Sequence, residues 1–136
     1  MKVLVDTSVW IEFLRKKPQI SDESLSRLYL LLEEDRVVTI YPIHVELFSG
    51  SILPQKRKEI EEAFESMAHV DLDWNSKITW VRLIEMAQSA KARSLPIPGV
   101  IDRMILSSAE ASQSSLWTLD RALIRLAEVL KVPLFV

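Results

Sequence analysis

Four carboxylates stand where the surrounding pattern does not call for acids. Asp6 ends the apolar run Val3, Leu4 and Val5, and the hydroxyl residues Thr7 and Ser8 separate it from Val9 and Trp10. Asp120 closes the stretch "SLWTLD", with Thr118 two residues before it. Asp102 lies in line with Ile105, Leu106 and Ala109, the stripe that a helix there would bury, and Glu46 shares a helical face with Ile43, Leu47 and Gly50. Taken singly, each has an ordinary explanation. An acid between a strand and a helix caps the helix, and an acid at the end of an apolar stripe is a partly exposed boundary residue. Taken together they pose an electrostatic problem, because neighbouring carboxylates repel and raise one another's pKa unless a cation compensates. Mg2+, or Mn2+ in its place, is the hard ion that takes carboxylate oxygens and water. Its chemistry in such a setting is phosphodiester hydrolysis, in which a bound water is acidified and charge on phosphorus and on the leaving oxygen is neutralised. Ser8 and Thr118 are the hydroxyls placed to support these acids by hydrogen bonding, and Arg121, next to Asp120, is the best-placed cation for an RNA phosphate.

The whole chain narrows the alternatives. With 136 residues, 49% of them hydrophobic, it suits one domain spanning 1–136. Neither a membrane span nor a signal peptide is recognisable, so a cytoplasmic protein is expected. Zero cysteines remove thiolate metal sites, disulfides and thiol nucleophiles. The net charge of -2 gives no general attraction for nucleic acid, so an RNA partner must use local basic groups or bridging cations. Arg15, Lys16 and Lys17, and Lys56, Arg57 and Lys58, are such groups, although solvated faces usually account for clusters of this kind. Two glycines, Gly50 and Gly99, cannot make a Walker loop or a dinucleotide fingerprint. No Gly-x-Ser-x-Gly is present, and His44 and His69 are the only histidines, which disfavours a serine hydrolase. His44 is two residues from Glu46, points away from it on a helix, and is expected at the surface. Trp74, Trp80 and Trp117 could stack bases, although core or interface is the commoner use of such residues.

The elements that must position the acids alternate. A strand at 3–5 leads into a helix carrying Val9, Trp10, Phe13 and Leu14. A second helix starts at Ser21 and turns Leu25, Leu28, Leu31 and Leu32 inward. "RVVTIYP" reads as a strand ending at Pro42, followed by a helix over 43–49 that stops at Gly50. A charged amphipathic helix begins at Pro54, "HVDL" is a short strand, and Asn75 caps a helix running to about 93. A helix over 100–113, the strand "SLWTL", a helix over 122–129 and the strand "VPLFV" complete the chain. Such order implies α/β architecture with a parallel sheet and helices on both faces, where ligands bind at the carboxyl ends of the strands.

These stretches also carry a resemblance. "VLVDTSVWIEFL" resembles the opening of PIN-domain proteins, "IHVELFSG" their second motif, and "VIDRMILSSAEASQSSLWTLD" their third and fourth acids, here 18 residues apart. Over nearly the full chain, the four motifs in order are similar to the small VapC ribonuclease toxins of VapBC toxin–antitoxin systems. The resemblance implies a three-layer α/β/α, Rossmann-like fold with strand order 3-2-1-4-5. It further implies Mg2+-dependent RNA cleavage, a homodimer, inhibition by a VapB-type antitoxin, and Asp6, Glu46, Asp102 and Asp120 as catalytic metal-site residues. Two positions depart from the pattern. Asp120-Arg121-Ala122-Leu123 stands where many members have Asp-x-Asp-Phe, which removes an acid that could hold a second metal, and Arg103 replaces the apolar residue common after the third acid. A noncatalytic RNA- or protein-binding module with a structural cation is the alternative. A phosphotransfer receiver domain would need an acceptor aspartate ending its third strand and a lysine ending its fifth, and neither is recognisable.

Overall fold

The computed structural model describes residues 1–15, 21–50 and 54–135. β1 (Val3–Val5) is buried on both faces, which is why its apolar run is unbroken rather than alternating. β2 (Val37–Thr39) and β4 (Ser115–Trp117) pair with it in parallel, and β3 (Ala68–His69) pairs with β2, giving the order β3-β2-β1-β4. The expected fifth strand is reduced to one parallel bridge between Leu116 and Leu134, held by Leu116 N–H to Pro133 O and Phe135 N–H to Leu116 O, both 2.8 Å. Pro133 has no N–H to contribute to a longer ladder. The segment still lies beside β4, the place that a fifth strand would take.

Helices α1 (Thr7–Leu14), α2 (Asp22–Glu33), α3 (Tyr41–Ser49), α4 (Pro54–Ser66), α5 (Lys77–Ala92), α6 (Val100–Ser112) and α7 (Arg121–Val129) connect the strands. Chain order runs outward through β2 to β3 and then returns across the sheet to β4, and right-handed crossovers therefore cover both faces. α3 begins at Tyr41, two residues earlier than its sequence suggests. Pro42 falls in the first turn, where a missing N–H removes no helical bond. Asn75 does not cap α5; Ser76 holds that place and makes no side-chain capping bond. Of the α2 leucines, Leu28 and Leu31 are buried while Leu25 and Leu32 are half-buried. No described helix is long and apolar enough to cross a membrane.

Register decides what meets at the carboxyl edge. Leu4 pairs with Val38, Thr39 with His69 and Val5 with Trp117. Extending the first ladder by two steps and the others by one brings Asp6, Ile40, Val70 and Thr118 to the same level. Beneath them Val5, Thr39, Ile105 and Leu116 are fully buried, so the edge rests on a packed core.

Candidate active site

Asp6 is fixed by both its strand and its helix. Its N–H donates to Trp117 O at 2.8 Å, and it is the N-cap of α1. Only 2% exposed, it collects three donors on one oxygen: Ser8 Oγ at 2.6 Å, Thr118 Oγ1 at 2.7 Å and, more weakly, Ser8 N–H at 3.4 Å. Each hydroxyl has a single proton and gives it to Oδ2, so the 3.4 Å approach of Ser8 Oγ to Thr118 Oγ1 is packing rather than a third bond. Both hydroxyls accept as well, from Leu119 N–H and Asp120 N–H, each at 3.0 Å. Ser8 and Thr118 thus both donate to Asp6, while Thr118, expected to orient the Asp120 side chain, meets only that residue's backbone N–H. The other oxygen of Asp6, Oδ1, is buried and has no hydrogen-bond partner among the described residues. An unpaired buried carboxylate oxygen is costly, and a cation is the partner that its charge demands.

Asp120 caps α7, accepting Leu123 N–H on Oδ1 at 2.9 Å. The capping explanation therefore holds for Asp6 and Asp120 and does not exhaust either, since each cap uses one oxygen. Glu46, half-buried on α3, accepts Thr7 Oγ1 at 2.7 Å. Thr7 was missed from sequence, although Thr7 and Ser8 are adjacent hydroxyls at a helix start and so turn toward different neighbours. Glu46 and Asp102 share a cleft of about 280 Å³ with Gly99, Val100 and Ile101. Asp102 sits in the first turn of α6 above Ile105, Leu106 and Ala109, each fully buried. Its pKa is pushed up from 3.8 to about 6, by burial first and then by the charges of Asp6, Asp120 and Glu46, against one backbone hydrogen bond from Gly99. Asp6, Asp120 and Glu46 thus each lie within electrostatic reach of Asp102.

Among the described residues, no three or more His, Asp or Glu side chains close around one metal-sized point. Uncompensated carboxylates hold apart, so mutual influence without closure is what repulsion predicts. The donor set itself suits a hard divalent ion: oxygen only, several carboxylates, and one buried oxygen lacking a donor.

Arg121, the first residue of α7, directly follows Asp120 and is exposed. The remaining candidates have other partners. Arg103 turns from the acids and donates to Pro98 O at 3.0 Å and Leu83 O at 2.9 Å, tying the entry of α6 to α5. Trp117 is 7% exposed and packs on Phe135, so it is unavailable to a base. Trp74 donates to Asp71 at 3.0 Å and Trp80 to Trp74 O at 2.7 Å. His44 is not the surface residue expected: it is half-buried with its ring 4.3 Å from that of Phe64, and burial followed by the neighbouring His69 lowers its pKa. Gly50 ends α3, and among the described residues only Glu46 O and Leu47 O of the same helix lie within 4 Å of its Cβ position. Among the basic clusters, Arg15 pairs with Glu12 and Arg57 with Glu61, Lys56 reaches Leu14 O at 3.4 Å, and Lys16 and Lys17 lie outside the described residues.

The PIN domain family profile matches residues 3–129. Among solved structures, FitAcB from Neisseria gonorrhoeae matches with TM-score 0.68 at 20% identity, covering 98% of this chain and 96% of that one. VapBC2 from Rickettsia felis, bound to a DNA fragment from its promoter, gives 0.69 at 19% identity, over 99% and 98% of the two chains. FitAB bound to the IR36 DNA fragment gives 0.67 at 19% identity, over 98% and 93%. No curated protein matches the sequence.

Proposed function

The chain belongs to the PIN-domain family, and on that footing we propose that it is a Mg2+-dependent endoribonuclease, the toxin of a toxin–antitoxin pair. One observation carries the reading: Asp102 is held at about 6 in part by the charges of Asp6, Asp120 and Glu46, so four acids from four parts of the chain act on one place. Asp6, Glu46, Asp102 and Asp120 would hold the ion, Mg2+ or Mn2+. Once bound, it supplies an acidified water and countercharge for the scissile phosphate. The chain's own contribution is orientation. Ser8 and Thr118 occupy Oδ2 of Asp6 and leave Oδ1 for the ion, Thr7 fixes Glu46, and Asp102 gives up its proton before it can ligate. Arg121, exposed beside Asp120, is positioned to meet an RNA phosphate.

An antitoxin of VapB type is the proposed partner, in keeping with the VapBC and FitAB pairs that share the fold. Its seat would be the groove between α1, α2 and α4, about 230 Å³, lined by Trp10, Phe13, Tyr29, Leu32 and Ile60. Tyr29 is 57% exposed there, an aromatic face open to an apolar side chain of the partner. A homodimer is proposed through α5, where Ile78, Val81 and Ile84 stand exposed. The site of action is the cytoplasm.

Cleavage of a mixed single-stranded and hairpin RNA panel by purified protein tests the activity. Products should form with Mg2+ or Mn2+ and vanish with EDTA and with Asp102→Asn. The competing reading is a noncatalytic module with a structural cation held by the same acids. Thermal stabilisation by Mg2+ without cleavage, after bound antitoxin is excluded, would decide for that module.

A further inference from the structure

On the far side of α3 from Glu46 is a second cavity, about 380 Å³, that the proposed chemistry does not use. Tyr41, His44, Phe48 and Phe64 line it with His69, and Glu61 and Glu65 are its acids. The Tyr41 ring stacks on His69, centroids 4.4 Å apart and planes 23° from parallel, yet Tyr41 remains 60% exposed. One face of a preassembled π stack is therefore open to solvent. Its place is set by register: His69 pairs with Thr39, the last residue of β2, and Tyr41 follows two residues later. Both thus sit at the carboxyl edge that carries Asp6, Tyr41 displaced along it by one strand spacing, about 5 Å, and His69 by two, about 10 Å.

We infer that Tyr41 and His69, with Glu65, form a base-recognition subsite for an unpaired guanine flanking the scissile phosphate. The inference rests on the ribonuclease reading and names where the strand leaves the acids. Stacking on an aromatic ring is how unpaired bases are held, and it tolerates any base. Discrimination comes from the acid. A carboxylate only accepts hydrogen bonds, through two oxygens, and guanine alone presents adjacent N–H donors, N1–H and the 2-amino group, on its Watson–Crick edge. Adenine offers one donor beside an acceptor, and uracil turns two carbonyls toward the carboxylate. Glu65 has this role because Glu61 is engaged: Arg57 pairs with it at 3.0 Å while lying 5.4 Å over the Phe48 ring. That internal cation also satisfies much of what the pocket would offer a basic side chain, so the observations favour a neutral base over an arginine of a protein partner. Arg57 at the rim can meet the phosphate of the bound nucleotide.

Binding and cleavage test it separately. Guanosine monophosphate, titrated into metal-free full-length protein, should shift the ring NMR signals of Tyr41 and His69 at concentrations well below those that uridine monophosphate needs. Tyr41→Ala should abolish the His69 shift with either nucleotide, and Glu65→Gln should remove the preference for guanosine. In cleavage of matched oligonucleotides, Tyr41→Ala should raise KM whichever base flanks the cut, while Glu65→Gln should lose about fivefold or more in kcat/KM, through KM, where guanine flanks it, with little change where uracil does. Equal loss on all RNAs with an altered fold in the NMR spectrum, or no loss on any, overturns the subsite. Shifts from arginine amide but not from the nucleotide assign the pocket to a protein partner and likewise overturn it. Guanine-specific shifts in a protein that cleaves nothing would retain the subsite and sink the ribonuclease reading, so the two failures are distinguishable.

Discussion

Asp6 and Asp71 stand one residue apart in level at the same sheet edge, Asp6 just after β1 and Asp71 just beyond β3, and their oxygens are used in opposite ways. Asp71 is saturated: Tyr41 N–H donates to both its oxygens at 3.0 and 3.2 Å, the Trp74 indole donates at 3.0 Å, and His69 Nδ1 faces it at 3.6 Å. It caps α3 and anchors the loop leading to α5. Asp6 has all its donors on Oδ2 and leaves Oδ1 buried and empty. Asp71 has both oxygens engaged by the fold, whereas an unpaired buried oxygen, as on Asp6, is a cost to stability. On the proposed reading, the number of satisfied oxygens is what separates a structural acid from one that serves a cation.

The sharpest way to break that contrast is to exchange the outcomes. Asp6→Asn and Asp102→Asn should each lower RNA cleavage by at least about a hundredfold, since even partners of metal ligands are worth ten- to hundredfold. Asp71→Ala should leave kcat nearly intact and cost about 1–3 kcal/mol in denaturant unfolding, through the lost cap and the orphaned indole. Unchanged cleavage by Asp6→Asn, or dead but stable Asp71→Ala, would reverse the assignments. Thr118→Val, which takes one of the donors from Asp6 Oδ2 while keeping its shape, should fall between, about ten- to hundredfold in activity. An effect as large as that of Asp6→Asn would make Thr118 more than a support.

Why was one aspartate legible in the sequence and the other not? Asp6 and Asp120 interrupt apolar runs, and Asp102 and Glu46 sit on stripes that burial should have kept apolar, so the energetic anomaly is visible in the letters. Asp71 lies in "HVDLDW", where its partners Tyr41, 30 residues away, and Trp74 carry no sequence mark. The parallel sheet and its helices followed from periodicity, and the strand order from the resemblance. The start of α3 and the fading of the fifth strand did not, because Pro42 read as the end of a strand and Pro133 as part of one, while the effect of each depends on which N–H the surrounding structure needs. His44 was misjudged for a related reason: its distance from Glu46 was correct, but its burial against Phe64 depends on the docking of α4.

A smaller effect, of the opposite sign to ordinary cap loss, sharpens the contrast further. In EDTA, Asp6→Asn should stabilise the fold by about 0.5–2 kcal/mol by relieving repulsion while keeping a capping oxygen, as functional sites commonly allow. Added Mg2+ should then raise the melting temperature of the wild type and move the variant much less. Destabilisation of the metal-free variant together with an equal Mg2+ response would return Asp6 to the class of Asp71.

The two ends of the edge should also respond oppositely to pH. The folded Asp102 carboxyl titrates near 6 rather than 3.8, so between these values the folded chain binds more protons than the unfolded one. Its contribution is fully present below 3.8 and is lost as pH rises through about 6. His44 is shifted the other way: burial and His69 lower it from 6.5, so the unfolded chain binds the extra proton, and stability from this group is present above 6.5 and lost as pH falls through the lowered value. Melts in EDTA from pH 4 to 7.5 separate the two when each is read against its own variant. Wild type should gain on Asp102→Asn as pH falls, and gain on His44→Gln as pH rises. Mg2+ should cancel the first trend, because the ion and the proton compete for the same carboxylate, and leave the second untouched, because His44 faces the aromatic cavity across α3. Two slopes of the same sign, or Mg2+ flattening both, would mean that the acidic and aromatic ends form a single electrostatic site.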